Sequence, residues 1–134
     1  MERRLAIALS LVGIAALGGP SLADAGSSGD VKTKATMGLS YFPESESRNY
    51  DVFVSAPKDK CVEGRAVSVF QKLPGKDNRI GKATSNEFGG AFVTDSPAEP
   101  FVEGDQFYAK VKKRILGNTT CLSAKTKTST IGPG

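Results

Sequence analysis

Apolar and polar residues alternate along this chain in short runs, each closed by turn-forming residues. In YDVFVSA (50–56), Val52 and Val54 fall on one face. GRAVSVFQK (64–72) sets Val67 and Val69 against Ser68 and Phe70. QFYAKVKKR (106–114) alternates most clearly, with Phe107, Ala109 and Val111 on one side and Tyr108, Lys110, Lys112 and Arg114 on the other. ATMGLSY (35–41), RIGKATS (79–85), GAFVTD (90–95) and TCLSAKTKT (120–128) complete a set of seven. The breaks between them, such as LPGKDN (73–78) and SPAEPFVEGD (96–105), are rich in Pro, Gly, Asp and Asn. No stretch sustains a helical period. Seven short strands at this spacing predict an all-β, seven-stranded Greek-key β-sandwich. Its core is expected from Val52, Val54, Val67, Val69, Phe92, Phe107, Ala109, Val111 and Leu122.

Between the fourth and fifth runs lies TSNEFGGAFV (84–93). A phosphate-cradling loop would lead into a helix, whose first amides meet the phosphate. Here a strand follows. Asn86, Gly89 and Gly90 are therefore a structural turn: Asn86 can bond its own backbone two residues on, and one of the glycines supplies a positive φ.

The N-terminus changes the picture of where this sandwich works. Arg3 and Arg4 precede a mostly apolar run from Leu5 to Leu17, and Ala23-Asp24-Ala25 forms a small-x-small cleavage site. Residues 1–25 read as a secretory signal peptide, the run being shorter than the roughly 20 residues of a membrane span. A flexible arm (26–34), the sandwich (35–128) and a short tail (129–134) follow, and the mature chain is expected to be secreted, soluble or associated with the cell surface. The two cysteines, Cys61 and Cys121, then read as a disulfide. It would close a loop of about 60 residues, a constraint of roughly 4 kcal/mol in the chain-entropy model.

Several short patterns now form one series: Cys61-x-x-Gly64-Arg65-x-Val67-x-Val69-Phe70, Gly75-x-Asp77, Ile80-Gly81-x-Ala83-Thr84, Asn86-x-x-Gly89 with Phe92, Gly104-x-x-Phe107-Tyr108-Ala109-Lys110-Val111, and Cys121-x-x-Ala124. Together they resemble small secreted prealbumin-like (transthyretin-like) domains, related in fold to the carboxypeptidase regulatory-like sandwich, over about residues 35–128. The resemblance implies a prealbumin/Ig-like sandwich, although the absence of Trp departs from a true immunoglobulin core. Gly89-Gly90-Ala91-Phe92 is one residue longer than the family's Gly-x-Phe unless Gly90 is the motif glycine. Transthyretin-like folds include an enzyme branch that hydrolyses 5-hydroxyisourate with histidines and a Tyr-Arg-Gly-Ser ending. This chain has no His and ends Thr-Ile-Gly-Pro-Gly, so no such activity is implied.

The lack of His also removes Ser-His-Asp and Cys-His nucleophiles and His-ligated metals. The acids are scattered over turns, leaving a His-free hydrolase with paired carboxylates as a remote reading. A calcium site from Asp77, Asn78 and Asp95 has none of the regular spacing of a known loop. No cofactor, metal or catalytic residue is assigned. Net charge is +4, but residues 105–134 carry six basic groups against one acid. Lys110, Lys112 and Arg114 on one strand, with Lys125 and Lys127 on the last, could form one basic face. Its functional reading is a site for an anionic cell-wall or matrix polymer; the plainer one is a solvated face whose lysines blunt an edge. With few aromatics beside the cations, nucleic acid is the least supported anion. A module self-associating or binding an extracellular protein by edge strands is the alternative. Asn118-Thr119-Thr120 matches a glycosylation sequon, relevant only in a eukaryote.

Overall fold

A computed structural model describes residues 29–96 and 99–133. The expected signal peptide (1–25) and the first residues of the arm lie outside them. In chain order the strands are β1 (Gly29–Val31), β2 (Lys34–Phe42), β3 (Ser47–Ser55), β4 (Ala66–Gln71), β5 (Asn78–Thr84), β6 (Gly90–Asp95), β7 (Gln106–Val111), β8 (Arg114–Leu116), β9 (Thr119–Cys121), β10 (Ala124–Lys125) and β11 (Ser129–Thr130), with one 3-10 turn at Asp59–Cys61. The chain is all-β, and the six longest strands match six of the seven expected ones to within about three residues. Among the described residues no helix is long and apolar enough to cross a membrane.

The contacts divide the chain into two units. The larger, residues 31–114 with 121–133, is a β-sandwich. One sheet has the order β10-β7-β4-β5, with β11 also pairing β7; the other has the order β2-β3-β6. The strands within them pair antiparallel, from Lys34↔Ser55 to Phe42↔Ser47 along β2 and β3, and from Val111↔Val67 to Phe107↔Gln71 along β7 and β4. Alternation then decides the core: Tyr50, Val52 and Val54 from β3 and Ala91 and Val93 from β6 meet Val67 and Val69 from β4 and Phe107, Ala109 and Val111 from β7. Removing a Val or Phe side chain of this kind from water contributes about 1.5–3 kcal/mol. Tyr50, Phe101 and Phe107 pack edge-on or tilted at one end of that core, with centroids 5.5–5.7 Å apart.

Three expectations are corrected. Phe92 is not in the core but 55% exposed, because β6 begins at Gly90 and Ala91 and Val93 take the inward positions. Leu122 is only half-buried. The last expected strand, 120–128, is broken into β9, β10 and β11, so more than seven strands form. Parts of the expected arm and tail also pair: Gly29–Val31 is a strand, and Ser129–Thr130 lies against Gln106 and Phe107. The smaller unit holds Gly29–Asp30 and 115–120; in it the amide of Gly29 donates to the Asn118 carbonyl at 2.8 Å, and Gly117 turns the chain with φ +59°.

The glycine pair is a turn. Asn86 Oδ1 accepts from the amides of Phe88 and Gly90, both at 2.9 Å, and the Asn86 amide donates to the Gly90 carbonyl at 2.8 Å. Gly89 has φ +87°, and a Cβ there would run into the Val54 carbonyl, whose own amide donates to Gly89 O. Gly89 is therefore the turn glycine and Gly90 the first strand residue.

Cys61 and Cys121 form the expected disulfide, both fully buried, with Cα atoms 5.4 Å apart. Beside it Arg65 is completely buried. Its guanidinium donates to the carbonyls of Cys61 (2.7 Å), Leu122 (2.8 Å) and Lys112 (2.9 Å), to Thr33 Oγ1 (2.9 Å) and, more loosely, to the Cys121 carbonyl (3.4 Å). Five oxygens replace a carboxylate. Burial, and secondarily the charge of Arg114, hold its pKa below the ordinary arginine value.

Candidate functional site

The inward residues of β4 and β7 are apolar, so the residues between them must face outward, and these make the distinctive surface. Phe70 lies directly across from Tyr108, and the two rings stack at 5.3 Å with only 15° between their planes. Lys110 lies directly across from Lys125. Both lysines lean back over the aromatic pair, Lys110 Nζ 5.4 Å from the Phe70 centroid and Lys125 Nζ 4.5 Å from that of Tyr108. Each contact helps to hold a cation near a fixed point on an otherwise solvated sheet.

Tyr108 is itself fixed from below. Its hydroxyl donates to Asp77 Oδ2, and Asp77 Oδ1 accepts from the Leu73 amide at 3.2 Å. The hydrogen bond from Tyr108, followed by that from Leu73, keeps the Asp77 carboxyl below its usual pKa; the same bond raises the Tyr108 phenol above its own.

A groove of about 630 Å³ opens along this face. It is lined by Lys110, Lys112, Lys113 and Lys125, with Phe70 and small or hydroxyl side chains between them and no acid. Among the described residues none of the four lysines forms an ion pair. Phe70 is shared with a second, more open hollow that also includes Lys76, Asp77 and Arg79. Cations thus continue past the end of the groove.

The five residues expected to form the basic face are only partly brought together. Lys110, Lys112 and Lys125 line the groove. Arg114 does not: β7 ends at Val111, where the Lys112 amide returns to Ala66 O, and Arg114 turns its guanidinium to the carbonyls of Gly64 (2.9 Å) and Glu63 (3.3 Å). Lys127 lies elsewhere, beside Ala35, Met37 and Ser129. Tyr108, expected at the surface with the cations, is only 4% exposed. Lys113 was missed because strict alternation put it on the inner face, a rule that fails once the strand has stopped. Phe70 was legible as outward-facing on its own strand; only the β4–β7 pairing puts it beneath the lysines.

The imagined calcium set does not assemble. Asp95 pairs with Arg48 and accepts from Tyr50 at 3.4 Å, while Asp77 is engaged by Tyr108. Among the described residues no group of three or more His, Cys, Asp or Glu could hold a metal ion. Scanned against protein-family models and against curated proteins, the chain matches none.

Proposed function

We propose that this protein is a secreted, non-enzymatic module that binds an anionic cell-wall or matrix polymer across the outer face of the β10-β7-β4-β5 sheet. The observation that carries the reading is the groove itself: four lysines without an ion pair among the described residues, two of them braced on a stacked Phe70–Tyr108 pair, and no acid in its lining. Ammonium groups at fixed spacing attract a string of phosphates, sulfates or carboxylates, and the field of several like charges adds up along a cleft. The neighbouring hollow with Lys76 and Arg79 extends the cationic track, which suits a polymer better than a single small anion. A buried disulfide is compatible with an extracellular setting, and the leader pattern of residues 1–25 supports export.

Co-sedimentation of the purified protein with wall or matrix fractions across a salt series tests this reading. Retention at low salt, lost in Lys110→Glu/Lys112→Glu/Lys125→Glu, is the expected result. Retention that ignores both salt and charge reversal would sink it.

One observation favours a second reading, a protein–protein module. β2 is a nine-residue edge strand without proline, and such an edge can template pairing with another chain. Association that persists in moderate salt, measured by sedimentation equilibrium, would support it.

A further inference from the structure

The opposite sheet has an outer face of another kind. On it Phe53 and Phe92 are 49% and 55% exposed, with ring centroids 5.9 Å apart and planes 80° from parallel. The register fixes their setting. Phe92 lies directly across from Asp51, and Phe53 across from Gly90. Gly38 faces Asp51 from β2, with nothing within 4 Å of where a Cβ would stand. A Cβ on Gly90 would stand 2.7 Å from Cζ of Phe92, so the ring lies over the glycine. Two rings therefore meet as a corner above a floor of glycine, with a carboxylate at its base. Among the described residues Asp51 has neither a hydrogen bond nor an ion pair through its side chain. The one basic residue that the register places on this face, Lys34, is four positions along β2 from Gly38 and lies across from Ser55.

We propose that this corner binds an organic cation of the quaternary-ammonium class, a trimethylammonium head group. Ring faces near a right angle present their negative quadrupoles to a cation from two sides, and Asp51 supplies the counter-charge. A primary ammonium needs three hydrogen-bond acceptors. The corner has one free carboxylate, and the next polar pair on the face, Asn49 and Thr94, is bonded to itself at 3.3 Å. Trimethylammonium needs no acceptor and presents methyl groups to the rings. The site is independent of the lysine groove and lies on the other sheet.

Titration of the isotope-labelled protein with tetramethylammonium and with choline, followed by backbone amide shifts, tests it. Saturable shifts confined to residues 51–53 and 90–92 are expected, roughly fivefold or more weakened in Asp51→Asn and in Phe92→Ala. Phe92 is exposed and Asp51 half-buried, and circular dichroism checks that each variant is folded. Lys110→Glu should bind as the parent does. Equal affinity for the uncharged tert-butyl isostere of choline, or unchanged affinity in Asp51→Asn, would overturn the proposal. Further binding to phosphatidylcholine vesicles would identify a lipid as the source of the head group; binding of free choline with no vesicle retention would identify a soluble or polymer-borne one.

Discussion

Lys110 and Lys125 stand directly opposite one another in the β7–β10 ladder, and each rests its ammonium on a different ring of the same stacked pair. Like charges directly across a ladder repel, at a cost of a few tenths of a kcal/mol, while each cation–ring contact returns about as much. Lys125→Gln should therefore change folding stability by no more than about 0.5 kcal/mol in chemical denaturation. Its retention on an anionic polymer should nonetheless end at visibly lower salt. A loss of retention matched by a comparable loss of stability would mean that the pair is structural.

Tyr108→Phe probes the support beneath those lysines. The Tyr108 hydroxyl lowers the pKa of Asp77 in the folded state. A lowered carboxylate pKa adds stability that is present above the unfolded value and is lost as pH falls through the folded one. The stability gap between parent and Tyr108→Phe should thus be open at neutral pH and close in acid. A gap constant with pH would show that Asp77 is not coupled to Tyr108.

Tyr50 gives the alkaline counterpart. Burial, the largest influence, raises its pKa from 10.0 to about 12, against the opposing charge of Arg48. A raised phenol pKa contributes stability that is intact below pH 10 and drains away between there and about 12, by roughly 2–3 kcal/mol. Tyr50→Phe should flatten that limb and remove the part of the late-ionising ultraviolet signal that belongs to residue 50, leaving the part that belongs to Tyr108.

Arg65→Met should be among the most damaging single changes. It leaves the buried carbonyl of Cys61 and the part-buried carbonyls of Lys112 and Leu122 without their donor, at about 1–3 kcal/mol for a buried group left unsatisfied. Cys61→Ser with Cys121→Ser should cost a few kcal/mol and keep the fold. Because Arg65 and the disulfide tie the same segments, their combined effect should differ from the sum, a coupling that a double-mutant cycle reads directly. Additive losses would mean two independent fasteners.

Gly89→Ala should lower stability by about 2 kcal/mol or more, from the positive φ and the Val54 carbonyl in its path. Gly38→Ala, with open space around it, should be neutral or slightly stabilising by thermal denaturation.

Most of the sandwich was legible in the sequence because period-two alternation between turn residues is a strong local signal. The failures are where local pattern competes with register. Gly89 and Gly90 read alike in sequence, yet which of them turns decides whether Phe92 or its two neighbours face inward. Val111-Lys112-Lys113-Arg114 continues the alternation on paper, but the β4–β7 register ends at Val111↔Val67 and the strand stops there. Arg65 carried no signal of its own: what makes it a clamp is the meeting of segments 61, 112 and 122, far apart in the chain. The same holds for the corner of Phe53, Phe92 and Asp51, which exists only once β3 and β6 are in register.

The two arginines anchored in the sandwich are held in different ways. Arg48 depends on one side chain, the carboxylate of Asp95, with its guanidinium over the Phe101 ring. Arg65, beside the disulfide, is held by a hydroxyl and four backbone carbonyls. A single substitution at residue 95 therefore releases Arg48, whereas no change to a neighbouring side chain can remove the carbonyls around Arg65, so the cysteine-linked end is the one that tolerates sequence change around its arginine.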